Sequence, residues 1–297
     1  VSFHRPACHL YCVVYTARPM RNQISNWYMG TCLLALASAV FVLVVVPRMP
    51  TAAGIDPLPH RAVYDLDLKT SDSDSGITGV RGRMVLEWAD GCEGYTTNQQ
   101  IRMRIEQAAG RLIDSDFSVA SWESKDGNQF RFKIRNVIDG NVVEEFGGLA
   151  DREVSRKEGI VRMRIPSVST IALPAGTVFP SEHASILVQE ALKGAKRIEV
   201  RVFDGTGEEG LFDAIAFVTG HVAGGESGTG LAELDDHEAW RMRMAYFRVG
   251  DTSGLPDYEV GFRMFANGVA DQLVMDYGDF VVGSKIAHFE ALPVSGC

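Results

Sequence analysis

Five histidines outside the first stretch of chain, His60, His183, His221, His237 and His288, are the side chains best suited to acid–base or metal chemistry. No two stand at the His-x-His or His-x-x-x-His spacing that turns two imidazoles to one side, so no compact zinc motif is present. Asp235-Asp236-His237 is the nearest acidic–histidine cluster and reads as a loop before a strand at Trp240. Ser181-Glu182-His183 has the letters of a hydrolytic triad, but neighbours at a helix start point in different directions. No Gly-x-Ser-x-Gly elbow accompanies them. A helix cap, a carboxylate at the positive helix end and a first-turn histidine account for all three. The glycine-rich run from Gly224 to Gly230 lacks a lysine and the strand-to-helix setting of a phosphate loop, so it reads as a flexible connector. Asp114 and Asp116 share one strand face in a surface-like run and read as solvated carboxylates rather than an acid–base pair. Nothing in this set assembles a catalytic, metal or cofactor site, and the expectation is a protein that is not an enzyme.

The cysteines carry a different message. Residues 1–53 hold Arg5, Arg18, Arg21 and Arg48 but no Asp, Glu or Lys, and residues 33–46 are an uncharged apolar run. Thr51 and Ala53 then supply small residues at the −3 and −1 positions of a cleavage before Gly54, the layout of a secretory signal peptide. The alternative is an uncleaved inner-membrane anchor over residues 29–46. Val1 reads as a start codon translated literally, with Met20 or Met29 as alternative starts. Cys8 and Cys12 lie in that front segment, without the partners a metal site needs, and Cys32 precedes the apolar run. Beyond the leader stand Cys92 and the last residue, Cys297. In an oxidising compartment such a pair is expected to meet as a disulfide. The loop so closed would constrain the unfolded chain by about 5 kcal/mol as an upper figure.

The two segments are thus residues 1–53, a leader or anchor, and residues 54–297, one exported domain. The second holds all 38 acidic residues and all but four of the 29 basic ones. So acidic a body repels phosphate backbones, and no nucleic-acid partner is expected.

The elements that would position any site are mostly strands. Ile101-Arg102-Met103-Arg104-Ile105, Phe130-Arg131-Phe132-Lys133-Ile134-Arg135, Val161-Arg162-Met163-Arg164-Ile165 and Trp240-Arg241-Met242-Arg243-Met244 alternate apolar and basic. That is the period of a half-buried antiparallel strand. Further strands are predicted over 63–68, 80–88, 117–122, 142–146, 198–203, 211–219, 259–265, 272–277 and 286–291, with Asp-Gly, Glu-Gly and Asn-Gly turns between several of them. One principal helix is predicted from about 181 to 193, capped by Ser181 and stopped by Gly194. More than ten strands without a composition break must curl to hide their edges. The fold class is therefore mainly β: a single antiparallel, spiral, open barrel-like sheet with one helix. The basic stripes read as a solvated outer face paired with acids. Their functional alternative is an interaction surface for anionic lipid head groups or a partner protein, with Arg102, Arg104, Arg162, Arg164, Arg241 and Arg243 as its residues.

Several segments together resemble the EipB-type cell-envelope integrity proteins of alphaproteobacteria. They are His60-Arg61-Ala62-Val63-Tyr64-Asp65-Leu66, the run GVRGRMVLE from Gly79, and Cys92-Glu93-Gly94-Tyr95-Thr96-Thr97-Asn98-Gln99. Next come LPAGTVFPSEH from Leu173, Val202-Phe203-Asp204-Gly205, Tyr258-Glu259-Val260 and Asn267-Gly268-Val269. LVMDYGDF from Leu273, Leu292-Pro293 and Cys297 complete the series. The resemblance implies a spiral β-sheet with a tucked helix, comparable to lipoprotein-carrier domains, and a disulfide that maps onto Cys92 and Cys297. It also implies a periplasmic, non-enzymatic role in envelope integrity, with a tetratricopeptide-repeat protein as the partner type. A monomer is expected. Two functions follow: a protein that maintains the envelope through protein contacts, or a carrier holding a lipid or acyl ligand in the concave face of the sheet. A continuous apolar cavity would favour the carrier, and a filled interior the contact role.

Overall fold

The computed structural model describes residues 57–154 and 156–296. The expected signal peptide or anchor lies outside the described residues, as does Cys297. Residues 54–297 form one compact unit by themselves.

Eight strands come first: β1 (His60–Ser71), β2 (Ile77–Asp90), β3 (Gly94–Gln107), β4 (Leu112–Ser124), β5 (Gln129–Ile138), β6 (Asn141–Asp151), β7 (Gly159–Ile165) and β8 (Ser169–Leu173). Helix α1 (Pro180–Leu192) follows, then β9 (Arg197–Phe203) and β10 (Leu211–Val222). A short helix α2 (Ala232–Asp235) precedes β11 (Ala239–Arg248), β12 (Tyr258–Phe265), β13 (Ala270–Asp276) and β14 (Phe280–Ala291). All 14 strands make one antiparallel sheet in the order β8-β7-β6-β5-β4-β3-β2-β1-β14-β13-β12-β11-β10-β9. Strands consecutive in the chain are neighbours in the sheet, and β1 pairs with β14 across the whole sequence. The one break in the succession falls between β8 and β9. The result is the curled, nearly closed barrel that the alternating pattern predicts.

Alternation sets the two faces. In β3, Ile101, Met103 and Ile105 are buried while Arg102, Arg104 and Glu106 are exposed. β5 and β11 repeat the scheme with Phe130, Phe132, Ile134 and with Trp240, Met242, Met244 inside. The strands run longer than the sequence suggests, because their polar ends stay in the ladder. β8 was not predicted at all. Its five residues, flanked by Pro166 and Pro174, are too short and too evenly mixed to show a period.

The gap between β8 and β9 is closed by side chains and one strap. Residues 177–179 run parallel to β9: the Val178 amide donates to the Arg201 carbonyl at 2.8 Å and the Phe203 amide to the Val178 carbonyl at 3.0 Å. Phe179 then stacks on Phe130 of β5 (5.1 Å), and Phe203 meets Phe132 edge-on (5.6 Å). Phe130, Phe179 and Phe203 are each at most 1% exposed. Gly205, just beyond β9, takes φ 93°, and a Cβ there would come within 2.9 Å of the Phe132 ring. Only glycine allows both the turn and the contact. Helix α1 buries Leu187, Val188 and Ala191 against the inner faces of β9 to β12, where Ala214 and Ala216 leave room for it.

Two expectations about loops are corrected. Ser181 is not the helix cap: Phe179 occupies that position and Pro180 opens the helix, without any side-chain cap bond. Nor is the glycine-rich connector loose. The Asp235 carboxylate accepts from the Ser227 hydroxyl, the Thr229 amide (2.8 Å) and hydroxyl (2.6 Å), and the Gly230 amide (2.8 Å). Those bonds, the one from Ser227 foremost, hold its carboxyl well below the usual range. The loop lies over Arg263, whose guanidinium binds Asp271 twice (2.8 and 2.6 Å) and donates to the Ser227 carbonyl at 2.7 Å. Both ion-pair side chains are almost fully buried.

Asp271→Asn would leave the Arg263 charge buried without its counter-ion, at a cost of about 3–5 kcal/mol. Urea denaturation should show that loss, while the apolar double replacement Arg263→Met/Asp271→Leu should lose much less. Equal losses would mean that the pair's charge is not what matters.

Candidate functional site

The densest buried polar cluster surrounds the start of α1. Glu123, at an inward position of β4, is 3% exposed. Its carboxylate accepts the Ser181 amide at 2.7 Å and the Glu182 amide at 2.9 Å, which are free N–H groups of the first helical turn. A residue distant in sequence therefore does the work of a cap. Burial pushes Glu123 up from the ordinary 4.5 to about 7, against the pull of these hydrogen bonds. Trp88 of β2 directs its indole N–H at the Ser181 hydroxyl (3.5 Å), and Arg156 holds Glu182 at 2.6 Å. Arg152 is buried beside them, donating to the carbonyls of Gly127 (2.9 Å) and Thr177 (2.6 Å) with its guanidinium 4.4 Å from the Phe179 ring centre.

His183 turns the other way, edge-on to Tyr246 at 6.4 Å. It is 5% exposed, its Nε2 has no hydrogen-bond partner, and burial brings it down to about 4. The side chains of Ser181, Glu182 and His183 thus meet three different partners, Trp88, Arg156 and Tyr246, and the three residues build a helix anchorage rather than a hydrolytic relay. Sequence reasoning missed Glu123 and Arg152. The available signal was a charged residue in the inward phase of a strand for Glu123, and nothing for Arg152, which follows β6.

The six surface arginines occupy three separate stripes of the outer face. Arg102 and Arg104 lie on β3, Arg162 and Arg164 on β7, Arg241 and Arg243 on β11. β7 stands four places from β3 in one direction and β11 six in the other. At about 4.8 Å per strand those are separations of about 19 and 29 Å along the sheet. Most are matched by acids: Arg102 with Asp116 and Arg104 with Asp114 at 2.8 Å each, Arg162 with Asp151, and Arg243 with Glu259 at 3.8 Å. Asp114 and Asp116 are therefore ion-pair partners. The register also sets Arg81 opposite Arg104 and Arg83 opposite Arg102, a block of four guanidiniums between the aspartates of β1 and β4. A shallow groove of about 510 Å³ opens there, and a second of about 540 Å³ lies farther along β2 to β5, lined by Glu87, Asn98, Gln100, Ser118, Lys133 and Arg135. Both open on the outer face, and Val85 and Ala120 stand among the polar side chains of the second.

Cys92 is disulfide-bonded. Near it, Asp90 pairs with Lys125 at 2.7 Å and accepts the Ser295 hydroxyl at 2.7 Å and amide at 3.3 Å.

The buried acid and histidine of the α1 cluster have opposite linkage to pH. Glu123 binds its proton more tightly when folded, so its contribution is full below pH 4.5 and lost as pH rises through about 7. His183 binds its proton less tightly when folded, so its contribution is full above pH 6.5 and lost as pH falls through about 4. Between those ordinary values the two slopes, each up to about 1.4 kcal/mol per pH unit, cancel. Denaturation series from pH 4.5 to 6.5 should therefore show stability rising with pH in Glu123→Gln and falling in His183→Leu, relative to the parent. A Glu123→Gln profile parallel to the parent would show that Glu123 does not titrate there.

Comparison with known proteins agrees with this architecture. Residues 51–293 match the family described as EipB-like. The cell envelope integrity protein EipB of Brucella abortus (strain 2308) is 31% identical over 243 residues, which span 80% of this chain and 86% of that protein. The crystal structure of a beta-barrel-like protein of unknown function from Brucella abortus is similar at a TM-score of 0.73 with 30% identity. The match covers 80% of this chain and all of that one, so the crystallised relative consists of the barrel-like body alone. With the strand series, the Cys92 segment and the α1 anchorage all inside the matched range, the chain belongs to the EipB-like family.

Proposed function

We propose that this protein works in the periplasm as a non-catalytic component of cell-envelope integrity, acting through contacts of its outer surface with other proteins. The name of its Brucella relative supports the envelope role. The observation that carries the contact role is the packing of the interior. The inner positions around α1 and the β8–β9 gap are filled by Phe130, Phe132, Phe179, Phe203, Leu187 and Val188, while the two grooves described above open on the outer face. A carrier would need the reverse arrangement. A tetratricopeptide-repeat protein is the proposed partner type, and a monomer the proposed state. Among the described residues no helix is long and apolar enough to cross a membrane. Removal of the leader near Ala53 is part of the same reading.

Cys297 is the proposed partner of Cys92. The support for it is that Ser295, two residues before Cys297 in sequence, is tied to Asp90, two residues before Cys92.

Native mass spectrometry of the protein from its own periplasm should find a mature chain beginning near Gly54, free of lipid and accompanied by protein. A stoichiometric lipid in its place would overturn the contact role in favour of the carrier. On the same material, thiol labelling should be negative until reduction, and Cys92→Ser should cost about 2–5 kcal/mol. Free labelling of the oxidised protein would remove the bridge.

A further inference from the structure

On one part of the outer face, basic side chains flank an exposed aromatic ring. The register of β9 to β13 sets Arg197 opposite Phe217, Phe217 opposite Arg243, Arg243 opposite Gly261 and Gly261 opposite Val274. Phe217 is 49% exposed and is the only phenylalanine or tryptophan among the exposed large apolar residues described; Val274, in the same row, is 38% exposed. Arg241 flanks the row on β11, and Lys196 adjoins it where the Val218 amide donates to the Lys196 carbonyl at 3.0 Å. Arg197 has Glu199 at 2.7 Å, and Arg243 has only a long contact with Glu259 at 3.8 Å. Arg241 and Lys196 have no ion pair among the described residues. Gly220 lies beside Arg241 and Gly261 beside Arg243, so Phe217 stands out from flat ground rather than from a recess.

On an acidic protein, four cations against the two acids Glu199 and Glu259 around a protruding aromatic ring form a local reversal of charge. Elsewhere the net charge is repelled by an anionic surface, so such a surface selects this face. A ring standing proud of a flat sheet can enter the head-group layer, with guanidiniums at the level of the phosphates. A protein partner would need a pocket of its own to receive it.

We propose that the outer face of β9 to β13, centred on Phe217 with Lys196, Arg197, Arg241 and Arg243, docks on the surface of an anionic phospholipid bilayer. The envelope reading supplies only the presence of such a membrane; the surface itself is tested without it, so either can fail alone.

The probe is sedimentation of the body, residues 54–297, with vesicles of equal parts phosphatidylglycerol and phosphatidylcholine, and with phosphatidylcholine alone. Binding is expected on the anionic vesicles and not on the neutral ones, and it should fall as salt is added. Each basic side chain near the surface is worth about a fivefold change in partition, so Arg197→Glu/Arg243→Glu should weaken binding by about 25-fold or more. Phe217→Ser should weaken it by about tenfold through lost apolar burial. Arg104→Gln, on a distant strand, should leave it unchanged, and unaltered thermal melts show that the variants fold. Absence of binding to anionic vesicles, equal binding to neutral ones, or an unaffected Phe217→Ser would each overturn the proposal. If Phe217→Ser instead abolishes a protein contact while vesicles are ignored, the face belongs to a protein and the membrane proposal falls.

Discussion

Everything else in this structure depends on how the sheet is held shut where its hydrogen bonds stop. A sheet that ends at β8 and β9 leaves two rows of backbone groups facing a gap, and an open curl of this size can splay. The strap at Val178 satisfies part of the β9 edge, but two backbone bonds are modest. The larger share comes from four phenylalanines that join β5, the strap and β9 in one packed cluster. Their stacked and edge-on geometries add specificity to the burial of so much apolar surface. The polar cluster of Glu123, Arg152 and Arg156 sits next to the same junction and fixes the start of α1 against it.

Sequence periodicity disclosed the strands because each has one wet and one dry face. Arg102, Arg104, Arg241 and Arg243 fell in the outward phase wherever their strands were placed. Strand order was another matter. Periodicity cannot say that β1 meets β14, and so it could not say that the basic stripes lie far apart. Glu123 defeated the pattern because a carboxylate in an inward phase reads as an interruption until a helix N-terminus arrives to bind it. Arg263 illustrates the opposite case. Its phase is correctly outward, yet it is buried, because a loop from before β11 folds over it. Long-range coverage of this kind leaves no local trace.

The charges show how an acidic protein can carry many arginines without becoming a general cation. On β3 both guanidiniums, and on β7 that of Arg162, are answered by an aspartate on a neighbouring strand, which cancels much of their charge locally. Exposed pairs of this sort add little stability, a few tenths of a kcal/mol up to about 1 kcal/mol each. Their effect is on where potential remains, and Arg241 and Lys196 are among the cations left without an ion pair among the described residues.

The pairing of β1 with β14 has a consequence for the path of folding. Every other ladder joins strands adjacent in the chain, and the Leu292 amide also reaches the Pro59 carbonyl at 2.7 Å beside that pair. The molecule is therefore two local meanders, β1 to β8 and β9 to β14, whose strands meet in a single long-range ladder, the β1–β14 seam. Loop-closure entropy is met chiefly at that seam, so it sets the rate at which the meanders unite. The first and last strands, β1 and β14, lie at the middle of the sheet, and the sheet's own edges, β8 and β9, lie mid-sequence. A circular permutant that links the region of Leu292 to Pro59 and opens the chain between β8 and α1 would turn the seam into a hairpin. It would leave every ladder in place and move the conformational search from the strands to the aromatic junction.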